Sequence, residues 1–304
     1  MPVPNINEQD VASILPDISN IEYFKQGGQK RVFKCEIDGN LYVVKFILVE
    51  DRTLNTEYTI QEGSMPLIDA VTARAEREVD TMANLDVPTL VKLGPIGLRT
   101  AEVRGQSLLY FAEEFIDGLN LREILEAQRN LPISDIVNLG TDVAEAIDAI
   151  WSKQRVHRDI KPENIVKRND NGRFTLLDAG FVFDLRDISL TAPHIIVGTK
   201  TYMSPDQIQY TRKRQLDFRS DLFSLGVVLY ESATGLHPFA YNAVSTEEVF
   251  ARIFTLHPTP PTTIRTDIPV ELEQIITQLL QKLPHLRYRS CQHLIDQLRE
   301  VTIE

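Results

Sequence analysis

The stretch His157-Arg158-Asp159-Ile160-Lys161-Pro162-Glu163-Asn164 sets an acid, a cation and an amide at fixed offsets along one short segment. Phosphoryl transfer draws on such a set. An aspartate can orient and deprotonate an attacking hydroxyl, a lysine two residues on can offset charge on the moving phosphoryl group, and an asparagine can hold a metal ion. Other groups must then grip the phosphate donor. Lys45 ends the apolar run Leu41-Tyr42-Val43-Val44, which reads as a strand after the hairpin signal Asp38-Gly39. Glu78 lies in an amphipathic helical stretch with Val79, Met82 and Leu85 on one face, and Asp178 follows the strand-like Phe174-Thr175-Leu176-Leu177. Taken singly, a lysine on a strand or a glutamate on a helix is an ordinary surface residue. Their order along the chain is what makes them informative.

The octapeptide resembles the catalytic loop of the eukaryotic-type (Hanks-type) protein kinases, in the form usual for Ser/Thr-specific and bacterial members. The likeness extends from about Ile21 to Leu298. It implies that Asp159 is the catalytic base, that Lys161 stabilises the γ-phosphoryl group, and that Asn164 and Asp178 hold metal. Lys45 would grip the α- and β-phosphates and Glu78 would fix Lys45. Gly198-Thr199-Lys200-Thr201-Tyr202-Met203-Ser204-Pro205-Asp206 resembles the platform that receives a protein substrate, and Arg287 matches the late arginine that pairs with its acid. Val32, Val43 and Val166 would sandwich the adenine, with backbone groups of Glu114 and Ile116 reading its edge. ATP and Mg²⁺, with Mn²⁺ as the alternative ion, are the implied cofactors, and proteins are the implied substrates. Glu163 and Glu231 match two acidic positions that basic-directed kinases use to bind an arginine upstream of the phosphoacceptor.

Several positions depart from that pattern. Counted back from Val32, the three glycines expected over the phosphates fall on Lys25, Gly27 and Lys30, so the middle one survives, with Gly28 beside it. The loop would lie differently as a result; Lys25, Lys30 or Arg31 could add side-chain charge toward the phosphates, but the favoured expectation is that Lys30 and Arg31 point into solvent. Glu113 stands where an apolar side chain is usual. An unpaired carboxylate buried there would be costly, so Lys45 or a water is its expected partner. Ala179 replaces a phenylalanine and weakens the packing between the Glu78 helix and the metal site.

The elements needed to position these groups are readable in outline. Ile21–Phe24, Arg31–Ile37, Leu41–Ile47, Val91–Leu98 and Ser107–Ala112 read as strands, and from Leu121 onward the pattern is helical. The expected fold is α+β: a two-lobed protein-kinase fold with a small antiparallel β lobe carrying one main helix and a larger, mostly α-helical lobe. Residues 1–20 form a lead-in of no evident role. The kinase domain spans 21–304, with the small lobe at 21–112, a hinge at 113–118 and the large lobe at 119–304.

Composition narrows the setting. The 304 residues are 43% hydrophobic, enough for a sizeable core, and the formal net charge of −11 argues against a nucleic-acid-binding surface. No run approaches the roughly 18 apolar residues of a membrane span, and no Lys, Arg or apolar stretch before Lys25 suggests a secretion signal, so a cytoplasmic setting is expected. Cys35 and Cys291 have no metal-ligand spacing and read as unpaired packing residues.

Regulation has two candidate sites. Thr191 and, second to it, Ser189 are acceptors in the loop after Gly180, where a phosphate could meet Arg158, Arg74 and Arg77. The stretch from Glu50 to Val71 is long for a connection of this kind and is a candidate site for a regulatory partner. Against the kinase reading stand a nucleotide-binding pseudokinase scaffold, favoured by the degenerate glycine loop and Ala179, and a small-molecule phosphotransferase, which would lack the platform segment.

Overall fold

The computed structural model describes residues 3–27, 30–49, 67–178, 200–209 and 216–303. Gly28, Ala179, Ser189, Thr191, Gly198, Thr199 and residues 50–66 lie outside the described residues. The chain divides into two compact units, 1–86 with 91–116, and 87–90 with 117–304.

The first unit is a five-stranded antiparallel sheet, β1 (Ser19–Gly27), β2 (Lys30–Ile37), β3 (Asn40–Val49), β4 (Arg99–Val103) and β5 (Gln106–Glu114), in the order β1-β2-β3-β5-β4. Asp38 and Gly39, with φ of 50° and 77°, turn β2 into β3, and Arg104 and Gly105 do the same between β4 and β5 with φ of 52° and 73°. Paired positive φ values of this kind match the twist of the flanking strands, and the Asp-Gly pair announces such a turn in the sequence. The Arg-Gly pair does not, and β4 was accordingly missed. The strand expected over Val91–Leu98 is absent. Pro95 has no N–H to give, and the segment meets β5 through an isolated bridge at Leu93 and separate bonds, from Glu114 N to the Lys92 carbonyl (3.0 Å), Gly94 N to the Ala112 carbonyl (2.9 Å) and Ala112 N to the Ile96 carbonyl (2.8 Å).

Strand alternation sorts this sheet into two faces. One presents Phe33, Cys35, Val44, Phe46, Leu108, Tyr110 and Ala112, all buried in a single cluster with Ile6, Val11 and Leu15. Those last three come from the supposed lead-in, which forms α1 (Glu8–Ile14) with an Asn7 and Asp10 capping box and covers the sheet. The other face presents Val32, Val43, Lys45 and Phe111, and receives α2 (Leu67–Asn84) through Ala75, Glu78 and Met82. The helix begins before Val71, so the last five residues of the long connection expected at 50–71 belong to it.

The second unit is mostly helical. A three-stranded sheet, β6 (Gly118–Asn120), β7 (Ile165–Arg168) and β8 (Phe174–Leu176), accompanies α3 (Leu121–Gln128), α4 (Ile133–Ser152), α5 (Pro205–Ile208), α6 (Phe218–Thr234), α7 (Thr246–Thr255), α8 (Pro261–Ile264), α9 (Val270–Leu279) and α10 (Cys291–Arg299). Apolar α6 is buried along nearly its whole length against α4 and α9. Gly226 permits that approach, since a Cβ there would come within 2.6 Å of the Leu279 Cβ. Among the described residues no helix is long and apolar enough to cross a membrane. Cys35 and Cys291 are buried free thiols.

Candidate active site

In the second unit the segment from His157 to Asn164 is held by its backbone. Asp221, in the first turn of α6, accepts the N–H groups of His157 (2.7 Å) and Arg158 (2.8 Å). Burial pushes its carboxyl above the usual range, with His157 and these two amides opposing the rise. Arg158 adopts φ of 68°, a left-handed conformation that its carbonyl's bond from Gln207 Nε2 (2.9 Å) helps to fix. His157 Nε2 donates to the Leu177 carbonyl at 2.8 Å, leaving Nδ1 to accept from Asp159 N at 3.3 Å. The histidine is therefore a strut between the segment and the end of β8.

Asp159 gathers the chemistry. Lys161 Nζ lies 3.0 and 2.8 Å from its two oxygens, and Asn164 Nδ2 donates to Oδ2 and to the backbone carbonyl, both at 2.9 Å. Burial raises the carboxyl's affinity for a proton and Lys161 works against that, while Asp178 adds repulsion. Such a group accepts a proton more readily than an isolated aspartate. Leu177 N donates to the Asn164 carbonyl at 2.8 Å, tying Asn164 to the strand end that carries Asp178, itself at φ of 56°. With its amide nitrogen committed to Asp159, Asn164 offers Oδ1. That carbonyl oxygen and the Asp178 carboxylate are the hard donors that suit Mg²⁺ or Mn²⁺.

The platform segment is locked to the helical core. Asp206 and Arg287 form a two-bonded ion pair at 2.9 and 3.0 Å, supported by Ser220 Oγ at 2.7 Å and Ser204 Oγ at 3.1 Å. Tyr202 donates to Glu231 in a short hydrogen bond. Glu231 and Glu163, expected to attract an arginine of the substrate, already share one of the chain's own. Arg122 donates to Glu231 at 2.9 Å, to Glu163 at 3.0 Å and to the Tyr202 hydroxyl at 2.5 Å. Nothing in the sequence around Arg122, an ordinary first-turn residue of α3, singled it out.

In the first unit Lys45 and Glu78 are buried on the α2 side of the sheet, 3.7 Å apart. Each has a nearer partner. Lys45 Nζ lies 2.8 Å from Glu113, the partner expected for that carboxylate. Lys30, expected in solvent, is 4% exposed and bonds both Glu78 oxygens at 2.8 and 3.0 Å. Arg31, its neighbour on the opposite face, is half-buried over the Tyr23 ring. Val32 and Val43 are buried on the same face as Lys45, and Val166 is buried in the second unit. Glu114 pairs with Tyr42 at the end of β5, its side chain accepts from Lys92 N at 3.0 Å, and Ile116 follows as the last residue of the unit. Gly27 closes β1 opposite Lys30.

Comparison with known proteins agrees with this geometry. The protein kinase domain model matches residues 22–298. Among curated proteins, the serine/threonine-protein kinase pkn3 of Myxococcus xanthus is 31% identical over 288 residues, covering 92% of this chain and 49% of that protein. The serine/threonine-protein kinase PknB of Mycobacterium leprae is 32% identical over 218 residues, 71% of this chain and 34% of that protein. The chain thus spans between a third and a half of the length of these curated relatives. The PknI kinase domain of Mycobacterium tuberculosis superposes with a TM-score of 0.62 at 19% identity, covering 92% of this chain and 94% of that one.

Proposed function

Because this chain belongs to the protein kinase family, we propose that it transfers the γ-phosphoryl group of ATP to serine or threonine hydroxyls of protein substrates. One observation supports this above the rest: Lys161 and Asn164 both converge on the Asp159 carboxylate within 3.0 Å. In this reading Asp159 orients the acceptor hydroxyl and takes its proton, and Lys161 offsets charge on the transferred group. Lys45 positions the nucleotide phosphates, while Val32, Val43 and Val166 enclose the base. Asn164 and Asp178 would hold Mg²⁺ or Mn²⁺, which supplies charge neutralisation at the phosphates when bound. The relatives' names carry the Ser/Thr specificity, and the setting proposed for the chain is the cytoplasm.

The test is incubation with radiolabelled ATP, Mg²⁺ and a generic basic protein. Phosphoserine or phosphothreonine in the acceptor supports the reading. Nucleotide binding without transfer would favour a pseudokinase scaffold.

Thr191, and second to it Ser189, are the proposed activating phosphorylation sites, on the strength of their place in the sequence after Gly180 and of the arginine, Arg158, that precedes the catalytic aspartate. Mass spectrometry of active protein that finds both unmodified, with full activity in the double alanine variant, would remove this assignment. The 50–71 stretch is proposed as a regulatory contact. Shortening it ahead of α2, within residues 50–66, should spare basal transfer and abolish only the response to a partner.

A further inference from the structure

Four buried ionisable side chains of the first unit pair in an order that departs from the family pattern. Val32 faces Lys45 across β2 and β3, while Lys45 faces Phe111 and Val43 faces Glu113 across β3 and β5. Alternation therefore puts Lys30, Lys45 and Glu113 on one face, and α2 brings Glu78 onto it. Counting the first unit alone, two charges of each sign meet there out of water. Both lysine ammoniums lie about as far from the Phe111 ring, 6.0 Å for Lys30 and 5.9 Å for Lys45, so neither is displaced from the group.

The distances decide who holds whom. Lys30 takes both oxygens of Glu78, at 2.8 and 3.0 Å, whereas Lys45 is 3.7 Å from Glu78 and 2.8 Å from Glu113. The two unusual residues compensate one another. A lysine at position 30 alone would leave Glu78 shared by two cations, and a glutamate at 113 alone would leave Lys45 between two anions. In a buried setting either imbalance is costly, whereas both changes together keep the charges of this unit equal.

We propose that Lys30 and Glu113 are a matched pair of positioning residues: Lys30 occupies Glu78, and Glu113 in its place sets the position of the nucleotide lysine, Lys45. This rests on the reading of the chain as an ATP-binding kinase.

The experiment is a variant cycle read by the Kd of a fluorescent ATP analogue and the KM for ATP. Glu113→Leu and the isosteric Glu113→Gln should each weaken nucleotide binding about tenfold, and Glu78→Gln should weaken it less. The double variant Lys30→Gly with Glu113→Leu should return to within about threefold of the parent, because Glu78 is then released to take Lys45. A lost packing contact would show no such rescue. Parent-like binding in both Glu113 variants, or a double variant no better than its worse single, would overturn the assignment. A parent protein that binds nucleotide but transfers nothing would count against the kinase function and leave the cycle readable. One that binds no nucleotide would overturn both.

Discussion

Arg122 donates to Glu231 at 2.9 Å across 109 residues of sequence, and the same guanidinium reaches Glu163 at 3.0 Å. The two carboxylates expected to select an upstream arginine in a peptide thus already share an arginine from within. A peptide array should show no more than about a threefold preference for Arg or Lys upstream of the acceptor, since the charge-assisted bonds such a residue would make are taken. Arg122→Ala should create that preference. An array on the parent protein with a strong upstream-arginine signature would show that Arg122 yields its place.

Asp159→Asn should abolish transfer, by about 10³-fold or more, while nucleotide affinity stays near that of the parent. Lys45→Ala should damage both. Single-turnover transfer and nucleotide titration on the two variants separate the outcomes, and undiminished turnover in Asp159→Asn would remove the assignment of the base.

Arg287 is fully buried on Asp206, which burial alone would push toward protonation but which Arg287, Ser220 and Ser204 together hold below the usual carboxylate range. Arg287→Ala leaves that carboxylate without its countercharge, and urea unfolding should show a loss of about 3–5 kcal/mol. Arg287→Lys should recover only part of it, because an ammonium cannot reproduce the two-bonded fork.

His237 gives a pH signature. Its Nδ1 accepts from the N–H groups of Phe239 (3.2 Å) and Ala240 (2.9 Å), and burial lowers its pKa from 6.5 to about 4, with Glu231 opposing the fall. Between those values the unfolded chain binds a proton that the folded one refuses, so stability falls as pH drops from about 6.5 to about 4 and loses nothing more from this group below that. His237→Asn keeps an acceptor for the two amides and should flatten the melting temperature across that window relative to the parent. An unchanged slope would show that other groups carry the acid sensitivity.

Much of this was legible in the sequence because local signals and chemistry coincide. Asp38-Gly39 marks its hairpin, and the spacing of Asp159, Lys161 and Asn164 is read directly. The pairing of Lys45 with Glu113 followed from the cost of burying a lone carboxylate. What failed were relationships set by tertiary register. Lys30 reads as a polar residue beside a glycine turn, and only its place opposite Ile47 and above Glu78 puts it indoors. Arg122 meets Glu231 because α3 and α6 pass the same corner, a fact no local window contains. The residues before Ile21 look featureless since three apolar side chains among polar ones, Ile6, Val11 and Leu15, carry meaning only against the sheet they cover.

The match to the protein kinase domain model begins at residue 22, whereas the hydrophobic core of the first unit begins at Ile6. A fragment trimmed to the matched span would leave Phe33, Phe46 and Tyr110 without the side chains of α1 over them. Exposed apolar area of that kind drives self-association. Poor solubility or oligomers seen with such a fragment would then report a missing cover, and an inhibitor screen run on it would collect compounds that stick to the uncovered sheet rather than to the nucleotide site.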